Sequence, residues 1–322
     1  MIEEIKAIAK KINPQVIEWR RWLHRHPELS QQEFGTMAFV AERLKEMGLN
    51  PKTGIGKTGC MAVLRGGIDP DGYCVALRSD YDALPLQEVT GLPFASENPG
   101  VMHACGHDMH TSSLLGAAKI LCEIRDQIQG SIMFIFEPSE EMYPGGARMM
   151  MDDGLFDELM PNEIYSFHCL PEMDFGRVGM RKGKYMASTD ELYWTVKGRG
   201  GHGATPHLSV DPILIASHIV VALQQVVSRN ASPMMPTTLS FGKFIGSENV
   251  EWLDMRMTAE DFAFFAQKIP ACYFRIGIHE PGTPFCNLHR PNLMVDERSI
   301  ELANGLVAYN AFMALKNRIK RK

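Results

Sequence analysis

The chain has 322 residues, enough for two domains of about 150 residues each. Its 33 Lys and Arg against 38 Asp and Glu give a formal net charge of −5, which offers no electrostatic footprint for nucleic acid. No apolar run approaches the ~18 residues needed to span a bilayer. The charged start, Met1–Lys6, lacks the apolar stretch of a signal peptide, and 7 cysteines without CxxC spacing favour reduced thiols in a cytoplasm over a disulfide framework.

The N-terminal third alternates helical and strand patterns. A helix runs from the start through Glu18–His26, and an amphipathic one covers Gln32–Met47, with Gly48 as its stop. Tyr73–Leu77 reads as a buried strand and Ser112–Ile124 as a helix rich in Leu and Ala. Ser131–Phe136 is a second buried strand, ended by Pro138, and Ile164–His168 a third. Near-continuous apolar strands between helices predict an α/β domain with a largely parallel, mixed sheet. The texture changes near Arg181. Glu191–Lys197 alternates, Gly198–Gly203 is Gly-rich, Pro212–Val227 is helical and Thr238–Gly242 is a strand. This predicts a small α/β module inserted at 182–248, between catalytic-domain segments 1–181 and 249–322. The second segment carries a capped helix at Thr258–Phe262, a strand at Cys272–Ile278 and a long helix over Asp296–Leu315. The basic run Lys316–Lys322 suits the solvated end of that helix.

Two clusters carry chemistry. The first is His103–Thr111, where Cys105 and His107 are two apart and, on an extended segment, project to one side. Thiolate and imidazole are both good ligands for first-row transition metals. The second is Glu140–Glu141, just after a buried strand, where one carboxylate can bind metal while the other takes a proton from water. His168 and His289 sit after strands in similar positions. Together with Cys105, His107 and one Glu they supply five donor groups, which suits two nearby ions.

The segments His24–Ser30, Arg78–Pro85, His103–Thr111, Pro138–Glu141, Gly145–Ala147, Gly200–His207, Met257–Phe262 and Leu288–Pro291 occur in that order over nearly the whole chain. In this the sequence resembles the metal-dependent amidohydrolases that include hippurate hydrolase, plant auxin-conjugate hydrolases, N-acetyl-diaminopimelate deacetylase and related aminoacylases and carboxypeptidases. The resemblance implies a zinc-peptidase-like catalytic domain with an inserted lid and dimerisation domain. It implies that Cys105, His107, Glu141, His168 and His289 bind two divalent metals, with zinc, manganese, nickel and cobalt left open. Glu140 matches the general base and Asp80 a carboxylate supporting the ligands. His202 matches a lid histidine aimed at the substrate carbonyl, commonly from the partner subunit of a dimer. The implied reaction is hydrolysis of the amide of an N-acyl amino acid or small peptide-like conjugate by an activated water.

The sequence departs from the family in its lid. Phe244–Glu248 runs almost directly into Asn249–Asp254, so several dozen residues, some of which usually help bind the substrate carboxylate, are missing. Either the deletion is real or the sequence omits a mobile part of the lid. The second is favoured, because a half-lid exposes strand edges and cannot easily bury its helix. The resulting expectation is a cytoplasmic, two-domain enzyme that forms a homodimer through the lid, with small-molecule substrates and no nucleic-acid or membrane partner. Two alternatives remain: an aminopeptidase or dipeptidase with the same two-metal site, and an inactive, ligand-binding relative.

Overall fold

A computed structural model of the chain describes residues 1–180, 192–231, 241–246, 250–255, 260–284 and 286–317. Two compact units emerge: Met1–Gly183 with Asp261–Lys322, and Lys184–Glu260. The expectations for Glu191, Thr238–Ser240, Thr258–Ala259 and Arg318–Lys322 lie outside the described residues.

In the larger unit the chain order is α1 (Ile2–Arg25), α2 (Phe34–Glu46), β1 (Lys52–Ile55), β2 (Gly59–Arg65), β3 (Cys74–Asp80), α3 (His107–Glu123), β4 (Ser131–Glu137), α4 (Gly146–Asp152), β5 (Glu163–Asp174) and β6 (Val178–Gly179). The smaller unit holds β7 (Leu192–Lys197), α5 (Pro212–Gln225), β8 (Phe241–Gly246) and β9 (Val250–Met255). The larger unit then resumes with α6 (Phe262–Ala266), β10 (Ala271–His279) and α7 (Arg298–Asn317).

The larger unit is built on a seven-stranded sheet ordered β1-β2-β4-β3-β5-β10-β6. Its central strands β4, β3, β5 and β10 are parallel, while β1, β2 and β6 add antiparallel edges. This is the largely parallel mixed sheet expected from the strand texture. All seven side chains of β3 and of β4 are buried, as a sheet covered on both faces requires. In α1 the buried residues Ile5, Ala9, Ile12, Val16, Trp19 and Leu23 recur at steps of three and four, one stripe of an α-helix. That stripe packs with α2, α3 and α7 into the main core. A second core, holding Ala147, Met150, Phe262 and Phe265, lies where α4 and α6 pack against other sheet residues such as Met133 and Ile135. The connection from β3 leads to β4 on one side, and the next connection crosses to β5 on the other. The order therefore reverses at β3, and ligands of open α/β sheets bind at such a point, beyond the strands' carboxyl ends.

The smaller unit is a three-stranded antiparallel sheet, ordered β7-β9-β8, with α5 on it. Residues 250–255, read from sequence as part of the resumed catalytic domain, pair with β7 and β8 here. Asp211 caps α5 by accepting from the amides of Ile213 and Leu214, and Pro212 occupies its first turn. Although α5 is strongly apolar, only Ala216 of its residues is buried; Ile213, Leu214 and Val221 are exposed. Pro212–Asn230 is, by length and composition, apolar enough to cross a membrane. This corrects the expectation that no run approaches that length. Scattered polar residues such as Ser217 and Gln224 interrupt the run without abolishing its apolar average.

Candidate metal centre

Five segments converge beyond the carboxyl end of β3. Asp80 closes β3 and Asp82 follows it. Cys105 and His107 flank the start of α3, Glu140 and Glu141 follow β4, and His168 lies within β5. His289 comes from the loop before α7, where its backbone amide donates to the Ala104 carbonyl at 2.7 Å.

The local geometry of Cys105 and His107 differs from the extended segment expected. His107 is the first helical residue of α3, and Gly106 between the two sits in the left-handed region at φ 83°. A side chain on Gly106 would also lie 2.5 Å from Cys169 Sγ, so both conformation and space demand glycine. The expected strand end at His168 also moves. β5 continues to Asp174 through pairing with β10, whereas its ladder to β3 stops at Arg78–Ser166, two residues before His168.

Cys105 is the centre of the cluster. His168 Nε2 and His289 Nε2 each lie 3.3 Å from its Sγ, and His289 Nε2 lies 3.1 Å from Glu141 Oε1. The ligating atoms of Cys105, His107 and His168 fall within 4.8 Å of one another, as do those of Cys105, Glu141 and His289, and those of His107, Glu140 and Glu141. Hydrogen bonds turn two of the imidazoles. His107 Nδ1 donates to the Asp82 carbonyl at 2.9 Å, and His168 Nδ1 donates to the Cys169 carbonyl at 2.8 Å. A carbonyl only accepts, so both rings in their neutral form leave Nε2 as a lone pair facing the cluster. His107 Nε2 is buried with no hydrogen-bond partner. An orphaned buried nitrogen among a thiol, two more imidazoles and carboxylates is the arrangement that divalent first-row cations fit.

Asp80 supports this set from below. Its carboxylate accepts from His110 Nδ1 at 2.6 Å and from Arg78 Nη1 at 2.7 Å, and it lies 3.8 Å from His107 Nε2. Burial alone would raise its pKa, but His107, Arg78 and His110 hold it well below the usual carboxylate range. Burial opposes charge on His107, yet Asp80 and Cys105 raise its pKa well above the ordinary value. Burial pushes the Cys105 thiol up, and Glu141 adds to this, while burial and the neighbouring His110 push His168 down.

Sequence reasoning passed over several supporting residues. Arg78 is fully buried and also bonds Glu137 at 2.5 Å and Asp261 at 2.9 Å. Asp261 in turn accepts from the Ala147 amide at 2.9 Å, and its pKa is raised well above the ordinary value by burial and by Glu137. His110 accepts from the Cys169 amide at 3.0 Å, bracing β5 beside His168. Asp82 stands two residues after Asp80 at a strand end, a spacing that signals a shared face. His202 belongs to the smaller unit. It is exposed on a turn in which its Nδ1 accepts from the Ala204 amide at 3.1 Å and its carbonyl accepts from the Thr205 amide at 2.8 Å.

The fold and the cluster together define a class of α/β protein with a multi-donor cluster suited to metal at a sheet switch point. Residues 76–312 match the model of Peptidase family M20/M25/M40, and the chain belongs to that family. It is 44% identical over 243 residues to an N-acyl-L-amino acid amidohydrolase of Geobacillus stearothermophilus, a match covering 76% of this chain and 65% of the relative. It is also 44% identical over 225 residues to a hippurate hydrolase of Campylobacter jejuni, covering 70% and 57% respectively. The chain thus spans less than two thirds of the length of these relatives. Among solved structures, the YxeP protein of Bacillus subtilis, a dinuclear metal-binding peptidase from the M20 family, aligns with a TM-score of 0.74 at 27% identity, covering 95% of this chain and 99% of that one.

Proposed function

We propose that this chain is a metal-dependent amidohydrolase that cleaves the amide bond of N-acyl amino acids or small peptide-like conjugates to a carboxylic acid and an amine. The observation that carries the reading is the convergence on Cys105: two groups of donors, one with His107 and His168 and one with Glu141 and His289, share its sulfur. Two divalent cations held by these five residues would supply Lewis-acid polarisation and acidify water toward neutral pH. The thiolate and imidazole donors favour softer first-row metals, and the choice among zinc, manganese, nickel and cobalt stays open.

The remaining chemistry belongs to the chain. Glu140 stands beside the ligand Glu141 and within reach of His107, where it takes a proton from the attacking water and returns it to the leaving nitrogen. Asp80 fixes His107 and His110 and keeps its own charge through Arg78. His202 donates to the developing oxyanion, supplied by the lid of a partner subunit in a homodimer. The lid is the inserted module, shortened relative to other members. Its exposed apolar helix α5 supports a dimer interface rather than a membrane span, and the 7 free cysteines support a cytoplasmic location.

The test is hydrolysis of N-acetyl and N-benzoyl amino acids, with free dipeptides alongside, after loading with manganese or zinc. Cleavage of blocked substrates that vanishes in Glu140→Gln is expected. Preference for free amino termini would replace this reading with the aminopeptidase one. Two bound metals without turnover on any substrate would favour the binding relative. The intact mass, set against 36.1 kDa, decides whether the short lid is real.

A further inference from the structure

We propose that Glu33 is a positioning residue for the loop that carries Glu140 and Glu141: its buried carboxylate holds Ser139 in a left-handed turn and so fixes where both glutamates stand. The inference rests on the reading of Glu140 as base and Glu141 as ligand.

β4 ends at Glu137, and the chain must turn at once to present both glutamates to Cys105. Ser139 makes that turn at φ 55°, a conformation that a residue with a side chain adopts only when its surroundings impose it. On one side the turn is closed by Gly146, whose amide donates to the Ser139 carbonyl at 3.2 Å, and where a side chain would meet the Pro138 carbonyl at 1.6 Å. On the other side stands Glu33. One oxygen of its carboxylate accepts from the Ser139 amide at 2.8 Å and from the Ser139 hydroxyl at 3.2 Å. The other accepts from the Thr58 hydroxyl at 2.7 Å.

The direction in which Glu33 points is itself informative. Glu33 occupies the N-cap position of α2 but makes no capping bond to its own helix. Glu28 does that work, accepting from the Gly35 amide at 3.0 Å and the Thr36 amide at 2.7 Å. Glu33 is thereby released to turn inward, where it is fully buried. Burying a carboxylate is unfavourable, and starting a helix does not call for it. A second buried carboxylate repeats the device two residues on. Asp82 accepts from the Glu141 amide at 2.9 Å and from the Ser30 hydroxyl at 2.6 Å, while its carbonyl holds His107. The amides on both sides of Glu140 are therefore each held by a separate buried acid. Gln31, in the same short segment as Ser30 and Glu33, donates its amide to Ser139 Oγ at 2.7 Å.

Four variants test the assignment. In Glu33→Ala the Ser139 amide loses its acceptor. Because displacing a catalytic group by ~1 Å can lower rate by ~10²-fold, kcat should fall roughly 10- to 100-fold with KM little changed. Glu33→Gln keeps an oxygen for the Ser139 amide and should recover most of that loss. Adding Ser139→Gly to Glu33→Ala should recover part of it, because glycine takes the left-handed turn unaided. Thr58→Val removes the other partner of the same carboxylate and should lower thermal stability while leaving kcat near wild type. A readout independent of turnover is hydrogen exchange at the Ser139 and Glu141 amides, which should quicken in Glu33→Ala more than in Thr58→Val. Unchanged exchange at these amides in Glu33→Ala would overturn the proposal, as would a kcat loss in Thr58→Val equal to that in Glu33→Ala. If the wild type proves neither metal-binding nor hydrolytic, the proposed function fails, and the exchange comparison still decides whether Glu33 holds the turn.

Discussion

Two helices meet opposite fates, and the more apolar of them is the more exposed. α3 is buried from His107 to Ala118 without interruption, enclosed by α1, α7 and the sheet. α5, more continuously apolar, leaves nearly all its side chains accessible on a three-stranded sheet. Burial follows from the number of layers a helix can be packed between, not from its own composition. Enclosure lets the first turn of α3 hold His107, Asp108 and His110 rigidly in the interior. The exposed one offers a surface.

The comparison can be sharpened by substitutions of decreasing effect. Glu140→Gln should lower kcat by about 10²–10⁴-fold, the usual share of a general base, while metal content measured by elemental analysis stays at the wild-type level. Arg78→Met should be the most damaging to folding. It leaves Asp80 without its cation and Glu137 and Asp261 facing each other, a loss of about 3–5 kcal/mol by denaturant titration. Leu115→Ala on α3, where the side chain is fully buried, should cost about 2–5 kcal/mol in the same assay. Val221→Ser on α5 should change monomer stability by less than about 0.5 kcal/mol. If α5 is covered by a second copy, that variant should instead weaken the dimer in analytical ultracentrifugation.

A separate, pH-dependent effect belongs to the packing around α3. His24 Nε2 lies 3.2 Å from Glu88, and its Nδ1 lies 2.9 Å from Asp108. Burial disfavours its charge, but Asp108 and Glu88 raise its pKa above the ordinary value of 6.5. Its contribution is therefore complete below pH 6.5 and is lost as pH rises through the raised value. Burial would raise Glu88, but the His24 and Thr90 bonds bring it down to about 2, so its contribution holds above its ordinary value of 4.5 and fades as pH falls toward 2. Stability from this pair should peak between those limits. In His24→Gln the alkaline decline should flatten, with a loss of roughly 1–2 kcal/mol at pH 6 by thermal unfolding.

Much of this was legible beforehand. Periodicity found α1, α2 and α7, and unbroken apolar runs found β3 and β4. The donor residues were legible as clusters of rare types at strand ends, and the structure brings Cys105, His107, Glu140, Glu141, His168 and His289 together. The short edge strand β1 and its neighbour β2 went unread, since glycines and the tight turn between them obscure their pattern. Among the buried acids, only Asp82 had a local signal, its spacing from Asp80. Glu33 and Asp261 act through Ser139 and Arg78, 106 and 183 residues away, and no local pattern marks such a pairing. β9 was assigned to the wrong side of the insertion because its partners, β7 and β8, define it more than its own sequence does.

The insertion has a consequence for how the molecule comes into being. The fourth parallel strand β10, the covering helices α6 and α7, the cluster residue His289 and the salt-bridge partner Asp261 all follow the smaller unit in the chain. During synthesis from the N-terminus, the first 180 residues leave the ribosome with β5 as an unpaired edge and α1 and α3 lacking their third companion. The small unit can close on itself while the larger one waits. The larger unit must therefore finish by a long-range closure late in translation, the kind of step that slows folding and leaves apolar surface open to chaperones.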